Sequence, residues 1–243
     1  MDIKNLSWNE NTTNKNNPPI LPRSLSGLIV GKSGCGKTTL LLNLLLQHGW
    51  LDYSKLSVFG KSLFQPEYII LRKGFEEQLS KKVIMDVFEN HVEIQRKQIS
   101  PNVLIDVAAH ELAKNHTRNK SGSVEPIGCV FYESADDVPD PKEISPEHKN
   151  LMIFYDLLLQ KQNKCESYYV RGRHSNCDCL YLSQNYFKLP CKTMRENANF
   201  FCLFPQDQKN IDHVFNDHVS ENMTKEQFKK LCKHACQNHT ILL

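Results

Sequence analysis

The chain has 243 residues, 40% of them hydrophobic, with 30 Lys and Arg against 27 Asp and Glu for a formal net charge of +3. That length holds one large α/β domain with a sizeable core or at most two small ones, and the near-balanced charge excludes a dedicated DNA-coating protein while permitting nucleic-acid contact. Nine cysteines, odd in number and without framework spacing, and an N-terminus with no signal peptide predict a reducing, intracellular setting.

Residues 1–19, MDIKNLSWNENTTNKNNPP, are rich in Asn and poor in aliphatic side chains, the composition of a disordered tail. A single domain is expected over 20–243. SGLIV (26–30) is an apolar run that opens into a Gly-rich turn. Lys37 to about His48 then reads as a helix apolar on nearly every side and buried against a sheet, with Gly49 as its stop. Within it LLLNLLL (40–46), the longest apolar stretch, is broken by Asn43 and much too short to span a bilayer, so no transmembrane segment is expected. KLSVFGKS (55–62) predicts a second strand, and Pro66 opens a helical stretch. Residues 95–125 carry no strong period, and KNHTRNKSGS (114–123) is a polar, basic loop.

Further apolar runs follow: IGCVFYE (127–133), LMIFYD (151–156), CLYLSQ (179–184), NFFCLF (199–204) and the terminal TILL (240–243). Thr224 is placed to cap a helix running to about Cys236. Continuous apolar strands alternating with helices predict an α/β domain, a mainly parallel sheet with helices on both faces. The chain stops within the last apolar run, which leaves room for a missing C-terminal piece.

GKSGCGKT, Gly31 to Thr38, fits G-x-x-x-x-G-K-[ST] without mismatch. The chemistry needs these types at this spacing. The glycines let backbone N–H groups of Gly31, Lys32, Ser33, Gly34, Cys35 and Gly36 turn inward around a β-phosphate, and the helix beginning at Lys37, Thr38 and Thr39 adds its positive dipole. Lys37 reaches the β- and γ-phosphates, and the Thr38 hydroxyl is a ligand for Mg²⁺. An apolar strand before the loop and a buried helix after it supply the required context for a P-loop NTPase.

The downstream strands narrow the class. From Lys37 to Asp156 is 119 residues, enough for an additional strand between the phosphate loop and the acid-bearing strand. CLYLSQN ends a buried strand on Gln184, a residue type that orients attacking water or senses a γ-phosphate in motor ATPases. NKCE (163–166) has Glu166 where a guanine-reading motif has Asp, and no Asp-x-x-Gly switch is present, which argues against a GTPase. A nucleotide kinase would need an acceptor pocket and an Arg-rich lid.

LIVGKSGCGKTTLLLNLL, FYDLLLQKQN, YYVRGRHSNCDCLYLSQNYFKLP and MRENANFFCLFPQD together resemble the packaging ATPases of poxviruses, giant viruses and Polinton (Maverick) transposons, within the FtsK/HerA superfamily of P-loop NTPases. The resemblance spans roughly residues 20–240. It implies a homo-oligomeric ring that hydrolyses ATP with Mg²⁺ to drive double-stranded DNA into a preformed capsid, with capsid components as partners. It further implies a nuclear or viral-factory location, with association to the virion. The catalytic set it implies is Lys37, Asp156, Gln184 and an arginine finger from Arg173 or Arg195, with Arg171 a further candidate.

One departure matters. The family's acid strand ends in two carboxylates, one for Mg²⁺ and one to polarise water, whereas here Tyr155 precedes Asp156 and Leu157 follows it. If Tyr155 occupies the metal-side place, Asp156 is the surviving catalytic acid; if the strand is shifted by one, Asp156 is the Mg²⁺ ligand. The continuation DLLL resembles relatives in a way that favours the first. Two readings stay open: a DNA-packaging motor with weakened hydrolysis, or a nucleotide-binding, hydrolysis-deficient remnant that acts as a binding or assembly subunit. Glu133, at the end of another strand, reads as structural or accessory. Lys114, Arg118 and Lys120 have the charge for DNA phosphates, though such loops are more often simply solvated. Cys232, Cys236 and His239 are poorly spaced for zinc, and Cys177 and Cys179 are most simply core residues.

Overall fold

Six apolar runs become six parallel strands. The computed structural model describes residues 21–94 and 127–237; the expected tail, the basic loop with Lys114, Arg118 and Lys120, His239 and the terminal TILL lie outside the described residues. The strands are β1 (Ser26–Val30), β2 (Lys55–Gly60), β3 (Gly128–Tyr132), β4 (Asn150–Tyr155), β5 (Cys177–Ser183) and β6 (Phe200–Leu203). They form one sheet in the order β3-β2-β4-β5-β1-β6, every pair parallel. Parallel strands buried on both faces need continuous apolar sequence, which explains why these runs stand out.

Alternate residues of the strands feed two cores, except in edge strand β3, whose Cys129 and Phe131 pack on one face while Val130 and Tyr132 are exposed on the other. Ile29, Leu56, Val58, Leu151, Ile153, Leu180 and Leu182 pack on one face with helices α1 (Lys37–Leu46), α2 (Pro66–Glu76) and α3 (Lys81–Ile94). Leu28, Val30, Phe59, Met152, Phe154 and Tyr181 pack on the other with α4 (Asn163–Arg171), α5 (Gln208–Val214) and α6 (Lys225–Gln237). Each fully buried Leu, Ile or Phe contributes about 1.5–3 kcal/mol. The expected architecture is therefore the observed one, a parallel sheet with helices on both faces.

Some boundaries differ from expectation. α1 ends at Leu46, short of His48, because the Gln47 N–H already donates to the Asn43 carbonyl while its own backbone turns extended; Gly49, at φ +84°, makes the following turn. Three helices were not expected, α3, α4 and α5. α4 was legible in principle: buried Cys165, Tyr168 and Tyr169 fall at helical spacing in NKCESYYVR. Its first residues are the NKCE segment, here helical. Thr224 caps α6 as expected, its Oγ1 accepting from the Gln227 N–H at 3.3 Å.

The strand order bears on the site. β5, not one of the strands between the phosphate loop and the acid, lies between β1 and β4 in the sheet. The two strands that intervene in sequence, β2 and β3, are on the far side of β4. Gln184 therefore follows the strand wedged between the P-loop strand and the acid strand.

Candidate nucleotide site

In the turn after β1 the Cys35 N–H donates to the Lys32 carbonyl at 3.4 Å and the Gly31 N–H is likewise engaged, so the expected phosphate cradle falls to the other amides of the loop. Gly34 and Gly36 take φ of +73° and +99°, a region that side chains with a Cβ rarely enter. Gly36 caps α1 without any side-chain hydrogen bond, and no acidic residue lies in the first turn. No side chain of the helix's own first turn thus competes with an anion for its N-terminal amides. Gly31 is required for space instead: a Cβ there would lie 2.4 Å from the Cys35 sulfur and 2.7 Å from Phe204 Cβ. The Gly31 N–H donates to the Ser183 carbonyl at 3.0 Å, which ties the start of the loop to the end of β5 and fixes Gln184 beside it.

Lys37 is buried, and its ammonium donates to the Gly31 carbonyl at 2.6 Å and the Lys32 carbonyl at 2.8 Å, with the Cys35 sulfur at 3.9 Å. Burial pushes its pKa down from the ordinary lysine value; the neighbouring Cys35 and Asp156 oppose the shift. A lysine so enclosed by carbonyls is held at the floor of the loop, where phosphate oxygens are the natural competing acceptors.

Ser33, Gly34, Gly36, Lys37, Thr38, Thr39, Tyr155, Asp156, Leu182 and Gln184, joined by Gln65 and Glu67, line one cavity of about 370 Å³. Most of the nucleotide set expected from sequence therefore converges with Asp156 and Gln184 at the C-terminal ends of the strands. Gly31, Lys32 and Cys35 do not line it: Gly31 is buried, Cys35 half-buried and Lys32 exposed. Asp156 has φ +53°, a conformation that costs a non-glycine residue about 1–3 kcal/mol and that clusters at functional sites. Its N–H still reaches the Leu182 carbonyl at 3.4 Å, so it leaves the ladder just after β4.

Tyr155 falls on the α1–α2 face. Its ring lies 5.0 Å from that of Tyr68, and its hydroxyl donates to Gln65 Oε1 at 3.4 Å. Leu157 is buried in the opposite core. The alternation thus puts Tyr155 on the side of the P-loop helix and Asp156 at the strand tip.

The first turn of α2 is a part of the site that sequence reasoning missed. Gln65 caps this helix and Glu67 stands in its first turn. Tyr68 is fully buried, with its hydroxyl beside that of Thr38. Burial drives its pKa far above the ordinary tyrosine value and Tyr155 adds to this; the neighbouring Thr38 hydroxyl pulls the other way, and Glu67 and Asp156 push it up further. A signal existed: Pro66 follows β2 closely, and β2 pairs with β4 so that Gly60 sits opposite Tyr155. The residues present fit a nucleoside triphosphate with Mg²⁺, because a buried lysine, a threonine and carboxylates line the same cavity as the start of the phosphate-loop helix.

The arginines lie elsewhere. Arg195 is buried, its Nη1 2.7 Å from Asp217 Oδ2 and its guanidinium over the Tyr186 ring at 5.1 Å. A guanidinium so enclosed is not presented to a neighbouring subunit. Arg171 and Arg173 are exposed, Arg173 in the short turn Gly172–Ser175 just before β5. Glu133 is exposed after edge strand β3 and does not line the cavity. Cys177 and Cys179 are core residues, and Asp178 between them accepts from Lys149 and from the Leu25 N–H, both at 2.9 Å. Among the described residues no cluster of His, Cys, Asp or Glu is placed to hold a metal by itself, and no helix is long and apolar enough to cross a membrane.

No protein-family model matches the chain, and no curated protein matches it in sequence. Among solved structures it is similar to that of VirB4 of Thermoanaerobacter pseudethanolicus, at 10% identity and a TM-score of 0.41, over 84% of this chain and 82% of that one. The phosphate loop between β1 and α1, the acid after β4 and the all-parallel sheet covered on both faces give this chain the α/β fold of a P-loop NTPase.

Proposed function

We propose that the chain is an ATP-driven motor acting on double-stranded DNA, of the viral and mobile-element packaging type, with hydrolysis slowed by the loss of one acid. The observation that supports its ATP-driven part is the convergence of Lys37, Thr38, Asp156 and Gln184 on one cavity in which Tyr155 precedes the acid, while the packaging part rests on the sequence resemblance. Lys37 exchanges its loop carbonyls for phosphate oxygens, and the open amides of the loop hold the β-phosphate. Thr38 would hold Mg²⁺, which when bound offsets phosphate charge. On this reading Asp156 orients the attacking water and takes its proton as the bond from the γ-phosphorus to ADP breaks. Gln184 holds that water in line. The alternative assignment gives Asp156 to Mg²⁺ and leaves Gln184 alone on the water.

The motor assignment brings its partners with it: a ring of copies, duplex DNA, and capsid components in the nucleus or a viral factory. A second reading is favoured by Tyr155 itself. With one carboxylate of the pair gone, the chain would bind nucleotide and serve as a hydrolysis-deficient assembly subunit.

ATP hydrolysis by the purified chain, with and without double-stranded DNA, separates the two beside Lys37→Ala and Tyr155→Asp. Turnover stimulated by DNA and abolished by Lys37→Ala supports the motor. Turnover that appears only with Tyr155→Asp supports the remnant. Undetectable nucleotide binding by the wild-type chain overturns both.

A further inference from the structure

We propose that Glu67, from the first turn of α2, supplies the metal-side carboxylate that β4 lacks. The proposal rests on the nucleotide-site reading above. Position comes first. β2 is hydrogen-bonded to β4 and ends at Gly60 opposite Tyr155, so tightly that a Cβ at Gly60 would lie 2.9 Å from the Tyr155 carbonyl oxygen. The segment after β2 leads into α2, whose first turn is delivered to the flank of the cavity that Tyr155 occupies. Gln65 accepts from the Tyr155 hydroxyl, Tyr68 packs against the Tyr155 ring, and Glu67 between them lines the cavity with Thr38 and Asp156.

An acidic residue in a helix's first turn is ordinarily explained by the helix dipole. That account does not explain Tyr68. Its hydroxyl is fully buried, and the Thr38 hydroxyl beside it is its hydrogen-bonding neighbour, so two polar groups sit together against the phosphate-loop helix. Thr38 is the P-loop residue type that meets Mg²⁺, and Glu67 lines the cavity with it, so the Glu67 carboxylate lies on the metal side. Mg²⁺ binds through one or two carboxylates with several retained waters, which a side chain from a neighbouring helix can serve directly or through water. Tyr155, through Gln65 and Tyr68, braces the turn that carries Glu67.

The test measures the affinity of a non-hydrolysable ATP analogue in Mg²⁺ and in EDTA, by calorimetry, for wild type, Glu67→Gln, Tyr155→Asp and the double variant. Wild type is expected to bind more tightly with Mg²⁺. Glu67→Gln is expected to lose about tenfold of that advantage while affinity in EDTA is unchanged and the melting temperature holds. In the double variant, Tyr155→Asp restores the advantage, because an acid returns to the strand. An unchanged Mg²⁺ advantage in Glu67→Gln, or an equal loss in Mg²⁺ and EDTA, overturns the proposal while leaving nucleotide binding intact. Failure of the wild-type chain to bind at all would instead overturn the underlying site reading.

Discussion

Asp156 carries two separable burdens, a charge and a strained backbone. Its φ of +53° belongs to the left-handed region, which Asn enters as readily as Asp and Ala does not. Asp156→Asn therefore removes the carboxylate and keeps the turn. Turnover in that variant is expected to fall by about a hundredfold or more, with nucleotide affinity retained and the melting temperature within about 2 °C of wild type. Asp156→Ala loses the same chemistry but adds about 1 kcal/mol of backbone cost, so it melts lower. Calorimetric melting beside an ATPase assay reads both quantities. Equal melting of the two variants would show that the strain is relieved elsewhere.

Elements differ in how far they could be read beforehand. β4 and β5 announce themselves because both their faces are covered, so LMIFY and CLYLS are apolar without interruption. The phosphate loop is legible because its spacing is its chemistry. Glu67 is not, since nothing in PEYIIL says that α2 begins against the tip of β4; only the β2–β4 pairing brings it there. Arg195 was equally opaque: its partner, Asp217, is 22 positions on, in a π-helical turn spanning Phe215–Val219.

That turn ties down the segment after Gln184. Tyr186 donates to Asp217 at 2.9 Å and contacts His218 Nε2 at 2.7 Å, beneath the Arg195 guanidinium. Arg195→Ala should cost about 2 kcal/mol by urea unfolding, between the values for an exposed and a buried pair. The same titration has a pH arm. Burial, and secondarily the charge of Arg195, hold the His218 pKa below its ordinary value, although Asp217 opposes this. A depressed folded-state pKa means that the unfolded chain takes up the proton first. Stability from this contact is therefore full above the ordinary histidine value, about 6.5, and falls as pH drops below it. His218→Gln should flatten that decline, and an unchanged pH profile would exclude His218 as its source.

At the scale of the whole molecule, the two ends of the sheet have different tasks. The cavity lies at the C-terminal ends of the strands, whereas Arg173 is exposed just before β5 begins. β5 runs from Cys177 to Ser183, a span of roughly 20 Å at 3.3 Å per residue. Arg173 therefore cannot serve its own nucleotide, and any finger role must be exercised on a neighbouring copy. Arg173→Ala should leave nucleotide affinity unchanged and lower turnover by about a thousandfold, the usual size of an arginine finger. Lys37→Ala is expected to be inactive for the opposite reason, with its own pocket disabled and its arginine intact. If the chain works as the proposed ring, the two variants mixed in equal amounts should recover about a quarter of wild-type turnover, because with random assembly that share of intact pockets meets an intact arginine. A mixture no more active than its components would remove Arg173 from the site and leave the turn before β5 a surface feature of the monomer.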